Sequence, residues 1–459
     1  MSKLARSIGL TQATAMVVGT IVGASIFVQP SEVSRAVPSF SGMLLVWIVA
    51  GALTWFGASI CAELTSAYPR TGGIYVFLCE LFSPAVGFLW GWAMFWSMHS
   101  GIIAAIAMVF GRYVATIVPM GDLGIRLTAA GGIIALSLIN YVGVRPGSAV
   151  QTALTIAKVA AILALLGLLL AAGTPQMPAS ATAIQPGAFL RALVAGLFAF
   201  GGWHMVTYAA EETRDPERTI PRALMLGTAV VVAIYLGLNA AYLLVLPLDR
   251  VLATTHIAFD ATMATAGAAA ASAISVLVIV SSFGGMSGII LAGPRVYLAM
   301  ADDGLLFKWM GAVHPRYKTP AAAIAAQAIW SSGLVLTSSY GALVSRVVYT
   351  EWIFFGALAL ALMRLRRAPG YRPAFRAAGF PAAAVLFALM CLAIVVNQIV
   401  SDPRNSLIGL GLVLAGLPVY ALWAAKHHAN HRLSQPLLSA EIHAGAPVAA
   451  EQRPGHDRR

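Results

Sequence analysis

Charge is scarce in this 459-residue chain: 10% of its residues are charged and 59% are hydrophobic. Its mean hydropathy is +0.82. Soluble domains average about 25% charged residues, so a water-soluble fold is excluded and an integral membrane protein is expected. At about 20 apolar residues per helical span, the length accommodates roughly a dozen spans and leaves no room for a sizeable soluble domain. Cysteine is scarcer still. Cys61, Cys79 and Cys391 are odd in number and lack metal-ligand spacing, which excludes a disulfide framework. They read as small apolar packing residues. HExxH, GxSxG and Walker patterns are missing as well. That leaves no constellation for a polytopic membrane enzyme and no nucleotide-binding segment for an ATP-driven pump. Nor does any segment look like a channel's filter or charged ring. No metal site and no cofactor are expected.

The charge that is present is lopsided, with a formal net value of +12. When loops are assigned alternately to two sides, about 20 Lys and Arg fall on the side of the N-terminus and about 7 on the other. Arg364, Arg366, Arg367, Arg372 and Arg376 crowd one loop, and Arg214, Arg218 and Arg222 share another. The positive-inside rule then places both termini in the cytoplasm. The basic balance is topology, with some attraction to anionic membrane lipid, and nucleic acid is not an expected partner. The first residues lead straight into an interrupted span, without the apolar run and small-residue site of a removable signal peptide.

Twelve spans are expected, at 8–30, 41–67, 84–118, 126–143, 149–172, 188–212, 221–246, 271–301, 319–337, 341–363, 378–401 and 405–426. The third is longer than a bilayer needs, which implies tilt. The eighth has the least certain start, because the Ala-rich stretch from Ala268 allows an earlier one. Residues 1–172 and 188–363 form two five-span halves of opposite orientation, and 378–426 adds two helices to complete a 1–426 transporter domain. Residues 427–459 read as a disordered cytoplasmic tail, in which His427 and His431 form either a metal pair or, as composition favours, part of a solvated segment.

The first and sixth spans carry glycine-rich interruptions, Val22-Gly23-Ala24-Ser25-Ile26 and Phe198-Ala199-Phe200-Gly201-Gly202-Trp203-His204. Glycine weakens a helix by about 1 kcal/mol against alanine. At membrane depth such breaks persist only where protein or a cavity satisfies the backbone. Breaks at corresponding positions of two halves point to a secondary transporter with a central site. Amide groups at Gly23, Ala24, Ser25 and Ile26 suit a carboxylate, and carbonyls near Ile21, Val22, Phe198 and Ala199 suit an ammonium. Backbone alone thus holds both poles of an α-amino acid. Ser25 either offers its hydroxyl or simply permits close approach.

These segments resemble the amino acid–polyamine–organocation transporters. The first is similar to that superfamily's GxIIGSGIF stretch. Phe198 to Trp203, running on to Glu211-Glu212-Thr213-Arg214-Asp215-Pro216 and Ile220-Pro221-Arg222, resembles the sixth helix of the L-type amino acid transporter branch. Ala62-Glu63-Leu64, Pro69-Arg70, Gly72-Gly73 with Tyr75, and Gly91-Trp92 resemble the loop between helices two and three. Ser281-Ser282-Phe283-Gly284, Arg295 and Asp303-Gly304 resemble the eighth helix. The likeness covers roughly 8–426 and implies an all-α membrane fold of about twelve helices. It also implies an inverted five-helix repeat, discontinuous helices one and six, and alternating access.

Lys158 and Arg295 are the basic side chains that fall away from loops, and a charge at membrane depth marks a functional site by default. The alternative for Lys158 is snorkelling from a helix end. The resemblance implies that the Lys158 ammonium takes the place of a sodium ion, bridging carbonyls near Gly19 to a hydroxyl on the eighth helix, Ser281. It also implies that Phe198 is an aromatic gate, the alternative being a packing aromatic. The chain departs from the pattern at three places. Gly23-Ala24-Ser25 replaces Gly-Ser-Gly, which narrows the site and favours small substrates. His204 stands for asparagine, as either a simple hydrogen-bonding group or a pH-sensitive one. Asp302 replaces an arginine. Glu63, Glu211, Glu212, Asp215 and Arg295 are expected near the cytoplasmic face, as a gating network or as solvated helix ends. Glu351 and Arg346 read as outer rim residues.

The expected function is sodium-independent transport of small or medium neutral L-amino acids across the cell (inner) membrane, by exchange. No obligatory partner subunit is expected. A proton-coupled symporter of amino acids or amines is the rival within transport, and a non-transporting amino acid sensor the rival outside it.

Overall fold

A backbone facing lipid must satisfy its own polar groups, and helices do so within one segment. In the computed structural model, which describes residues 6–142, 148–173, 184–317 and 319–424, every regular element is helical. The one β-type contact is a single parallel bridge between Ile8 and Thr213. The expected tail and its histidine pair lie outside the described residues.

The elements run α1 (Leu10–Ile21), α2 (Gln29–Ala36), α3 (Phe40–Ala67), α4 (Ile74–Leu81), α5 (Pro84–Ala93), α6 (His99–Val114), α7 (Asp122–Val142) and α8 (Ser148–Ala172). They continue with α9 (Pro186–Ala199), α10 (Pro216–Val245), α11 (Leu248–Ala253), α12 (Ile257–Asp302), α13 (Lys308–Gly311), α14 (Ala321–Thr337), α15 (Tyr340–Leu365), α16 (Ala382–Ser401) and α17 (Pro403–Leu414). Among the described residues ten helical stretches are long and apolar enough to span a membrane. Two shorter apolar helices, Thr155–Ala171 and Ala321–Thr337, fill the remaining places.

Helix starts follow from the sequence. Ser39, Ser83 and Ser339 accept from the amides of Gly42, Val86 and Ala342, satisfying donors that the first turn leaves open. Pro84, Pro186 and Pro216 sit in first turns, where a missing N–H costs nothing.

Two spans differ from their expected shape. The long third one contains a π turn at Met94–Met98 between α5 and α6, and the Ser100 hydroxyl donates to the Phe95 carbonyl, 2.7 Å away. The eighth runs from Ile257 to Asp302 with a kink at Gly267 (φ 80°, ψ −174°), so its uninterrupted part begins at Ala268 rather than at 271. Apolar periodicity does not register a single left-handed residue.

The first and sixth spans lie antiparallel. Ser7 and Ile8, just before α1, donate their amides to the Glu212 carbonyl, and the Arg214 amide returns to Ile8. At the other end of α1 the Thr20 hydroxyl donates to the Gly202 carbonyl at 3.1 Å. One span is therefore laid along the other in reverse, with the two breaks side by side.

Candidate functional site

α1 stops at Ile21, and after Val22, Gly23 and Ala24 a short 3₁₀ turn, Ser25–Phe27, leads into α2. The carbonyls released by the break are taken up by one buried and one half-buried side chain. The Ile21 carbonyl accepts from the Tyr235 hydroxyl at 3.0 Å, and the Val22 carbonyl from the Lys158 ammonium at 2.8 Å. Among the described residues no acceptor takes the amides of Ala24, Ser25 or Ile26. α9 ends at Ala199, and the chain turns at Gly201 and Gly202 before a 3₁₀ stretch, Trp203–Glu212. Gly202 has φ 98°, and a Cβ there would stand 2.9 Å from the Thr20 carbonyl oxygen. Only glycine lets the two breaks approach this closely.

Between the breaks and the facing helices lies a cavity of about 20 Å³, room for a water but not for an amino acid. Its walls must part to admit one. Of the residues expected at the site, Ile21, Gly23, Ser25, Phe198, Gly201 and Gly202 line it. Val22, Ala24, Ile26 and Ala199 are buried in the same two segments, away from the lining. Thr20 and Met205 extend the lining on the side of the breaks. Ile102 and Ile106 of α6, Ile289 of α12, and Val347 and Glu351 of α15 complete the lining. Glu351 corrects the sequence reading. It is no rim residue: it is 5% exposed and faces the cavity. A signal was there, because 11 residues beyond Tyr340 at 1.5 Å each is roughly 16 Å, the middle of a core about 30 Å thick.

Lys158 also differs in detail. Its hydrogen bond goes to Val22, not to Gly19. Gly19 instead packs against Thr155, whose hydroxyl a Cβ would meet at 2.7 Å. Ser281 is buried on α12, and its hydroxyl has no hydrogen-bond partner among the described residues. The ammonium and this hydroxyl are therefore not joined. An unwound turn puts Val22's carbonyl, rather than one within α1, in reach of the lysine.

His204 does not line the cavity. Its ring, 1% exposed, is enclosed by Trp90, Trp203, Tyr208 and Phe355, with centroids 5.3 to 5.9 Å away. Its Nδ1 has no partner among the described residues. Phe198 lines the cavity and meets the Tyr340 ring edge-on at 6.5 Å.

The cavity is closed at both ends by different chemistry. At the end carrying the N-terminus, Arg295 pairs with Glu212 at 3.0 Å, the Tyr75 hydroxyl donates to Asp303 at 2.7 Å, and the backbone bridge from Ser7 and Ile8 ties down Glu212. Burial, then Cys79 and Asp303, push the Tyr75 phenol above its ordinary value, which keeps it a donor. Glu63, fully buried, holds Arg366 and also accepts from the Ala377 amide. Glu63 and Glu212 are thus paired, whereas among the described residues Glu211 reaches only the Thr71 amide, at 3.4 Å. At the opposite end the Gln29 amide donates to the Tyr340 hydroxyl at 2.9 Å, and the Arg112 guanidinium lies over the Tyr340 ring at 4.7 Å.

The sequence matches the amino acid permease family over residues 8–420. It is 32% identical over 426 residues to the serine/threonine exchanger SteT of Bacillus subtilis, covering 91% of this chain and 96% of that one. The human cystine/glutamate transporter is 28% identical, over 92% of this chain and 86% of its own. The human large neutral amino acids transporter small subunit 2 is 30% identical, over 93% and 82%.

Proposed function

Since this chain belongs to the amino acid permease family, and is therefore a multi-pass membrane transporter and not an enzyme, we propose that it exchanges small or medium neutral L-amino acids without sodium. The observation that carries this reading is the pair of facing breaks across one closed cavity. Of the amides at Ala24, Ser25 and Ile26 that no described residue accepts, that of Ser25 belongs to a residue lining the cavity and offers a place for the substrate carboxylate. The Phe198 and Ala199 carbonyls on the facing break, with the remaining lone pair at Val22, offer one for its ammonium. Lys158 holds the broken end of α1 at the Val22 carbonyl, and a resident ammonium there replaces the role a bound sodium would play. Aliphatic walls and a narrow cavity favour short side chains. One relative's name gives serine and threonine as its exchanged substrates, and this supports the small end of the range.

Alternating access follows from the two closures. Parting Arg295 from Glu212 and Tyr75 from Asp303 opens one end, and parting Phe198 and Gln29 from Tyr340 opens the other. Phe198, at the cavity wall, acts as the lid. The halves 1–172 and 188–363 move against each other, with 378–426 outside the repeat. The protein works in the cell membrane with both termini in the cytoplasm and without an obligatory partner subunit.

The test is uptake of labelled neutral amino acids into proteoliposomes holding the purified protein alone, in sodium-free buffer, with and without unlabelled amino acid inside. Uptake that requires internal amino acid is the expected result. Uptake into empty vesicles driven by an inward proton gradient contradicts exchange, and no flux across the panel contradicts the neutral substrates.

A further inference from the structure

The end of α15 and the loop after it carry five arginines, Arg364, Arg366, Arg367, Arg372 and Arg376, and no acidic residue stands between Glu351 and Asp402 to balance them. One of the five is engaged inside the protein. Arg366 pairs with the buried Glu63 and donates to the Ala377 carbonyl at 2.8 Å, and its guanidinium lies 4.2 Å over the Phe380 ring. The Ala377 amide donates to Glu63 in turn, and the Phe375 amide donates to the Ser66 hydroxyl at 2.9 Å. These bonds fasten the loop to the end of α3. The other four arginines are exposed, and among the described residues none of them forms an ion pair. The Arg376 guanidinium donates to the Tyr371 carbonyl at 3.1 Å, which leaves its charge unbalanced.

Next to this loop lies a second cavity, separate from the one at the breaks and shallow at about 10 Å³. Phe56 and Ser59 of α3, Leu362 of α15 and Ala383 of α16 line it, and the fastened loop adds Ala377 and Ala378. Ser59 and Phe56 precede Ala67, the end of α3, by 8 and 11 residues, roughly 12 and 16 Å along the helix. The groove therefore reaches down into the apolar span, while Ala377 and Ala378 mark its outer end. Trp55, Val385 and Leu386, neighbours of its lining on α3 and α16, are exposed as lipid-facing side chains are. An apolar floor that ends at an unbalanced basic rim suits a molecule with an apolar tail and an anionic head.

We propose that this groove and its rim bind one anionic phospholipid of the surrounding leaflet, its phosphate on Arg372 and Arg376 and one acyl chain resting against Phe56 and Ser59. Arg376 directly precedes the lining residue Ala377, and Arg372 lies on the same fastened loop. Guanidinium groups match phosphate oxygens in pairs. A headgroup that also carries an ammonium brings further positive charge to a rim with no acid to receive it, so phosphatidylglycerol fits where phosphatidylcholine does not. The chain rests on the shallow groove without being enclosed. The site lies apart from the breaks, so it stands whether or not the protein exchanges amino acids.

The experiment is thermal unfolding of the delipidated, full-length protein in detergent. It is titrated with phosphatidylglycerol, phosphatidylcholine of the same acyl chains, diacylglycerol or inorganic phosphate. Phosphatidylglycerol should stabilise at about tenfold lower concentration than phosphatidylcholine, and diacylglycerol and phosphate should give no shift. Arg372→Gln with Arg376→Gln should weaken the phosphatidylglycerol response about thirtyfold, the effect of two basic contacts with an anionic lipid surface. Arg218→Gln with Arg222→Gln removes the same charge from another exposed loop and should leave the response within about threefold. Ala378→Trp fills the groove from an exposed position and should weaken the response with every arginine kept. All four arginines are exposed, so these variants should match wild type in lipid-free melting temperature, and they carry the test even if Ala378→Trp does not fold. Equal responses to the two phospholipids, or equal losses in the two arginine pairs, overturn the site in favour of general attraction. So does a folded Ala378→Trp protein that responds like wild type. Stabilisation by inorganic phosphate alone overturns a lipid as the occupant.

Discussion

Replacing Gly202 by alanine tests whether the two breaks must touch. The added Cβ meets the Thr20 carbonyl oxygen at 2.9 Å, at a residue whose φ is 98°. The left-handed conformation costs an L-residue about 1–2 kcal/mol. Moving the segments apart also weakens the 3.1 Å bond from the Thr20 hydroxyl to the Gly202 carbonyl, worth about 1 kcal/mol. With the steric contact added, the closed arrangement should lose about 2–4 kcal/mol. The lower value alone predicts a roughly thirtyfold fall in exchange. Gly23→Ala is the comparison, because its Cβ would meet only the Ile21 carbonyl, at an ordinary 3.8 Å, and its thermal stability should match wild type. Exchange in proteoliposomes and melting temperature in detergent are the measurements. A Gly202→Ala protein that exchanges within about twofold of wild type, at an unchanged melting temperature, would refute the argument that close contact of the breaks is required.

Other outcomes follow from residues already placed. Lys158→Met removes the ammonium from the Val22 carbonyl and should lower sodium-free exchange by at least about tenfold, as expected for a charge-assisted bond at depth; a wild-type rate would show that the lysine only snorkels. Glu63→Gln leaves the Arg366 guanidinium without its buried partner and should cost about 3–5 kcal/mol, seen as loss of the monodisperse peak in size-exclusion chromatography. Recovery in the double variant Glu63→Gln with Arg366→Met is expected, and a stable single variant would count against the pairing. Burial pushes the Cys79 thiol up to about 11, so its reactive thiolate is rare at neutral pH and grows as pH rises. Alkylation by iodoacetamide should climb roughly tenfold per unit between about pH 7 and about pH 9.5; a profile that levels off near about pH 8.5 would place the thiol in water.

Much of this architecture is legible in the chain because membrane depth is written in composition. The breaks at Gly23 and at Gly201-Gly202 stand out by their corresponding positions in the two halves, since glycine pairs alone, such as Gly131-Gly132 and Gly284-Gly285, also sit in continuous helices. Lys158 stands out because a charge at membrane depth is costly. What escapes is whatever depends on where a span begins or how a turn is wound. Glu351 reads as a rim residue until its depth along α15 is measured from Tyr340. The lysine's partner lies three residues beyond Gly19, because unwinding after Ile21 swings the Val22 carbonyl outward. His204 follows the cavity's glycines in sequence, yet the 3₁₀ winding after Gly202 carries its ring into an aromatic enclosure. The kink at Gly267 has no periodic signature at all.

The unlike closures at the two ends make dissolved salt a one-sided lever. The Arg295 and Glu212 side chains are 36% and 22% exposed, so counter-ions reach their attraction and weaken it. The Tyr340 closure, buried and built from ring contacts and one amide bond, offers ions far less to screen. Raising ionic strength should therefore tip the resting population toward the form open at the end carrying the N-terminus. The protein's preferred facing would then be a property of its buffer as well as of its sequence.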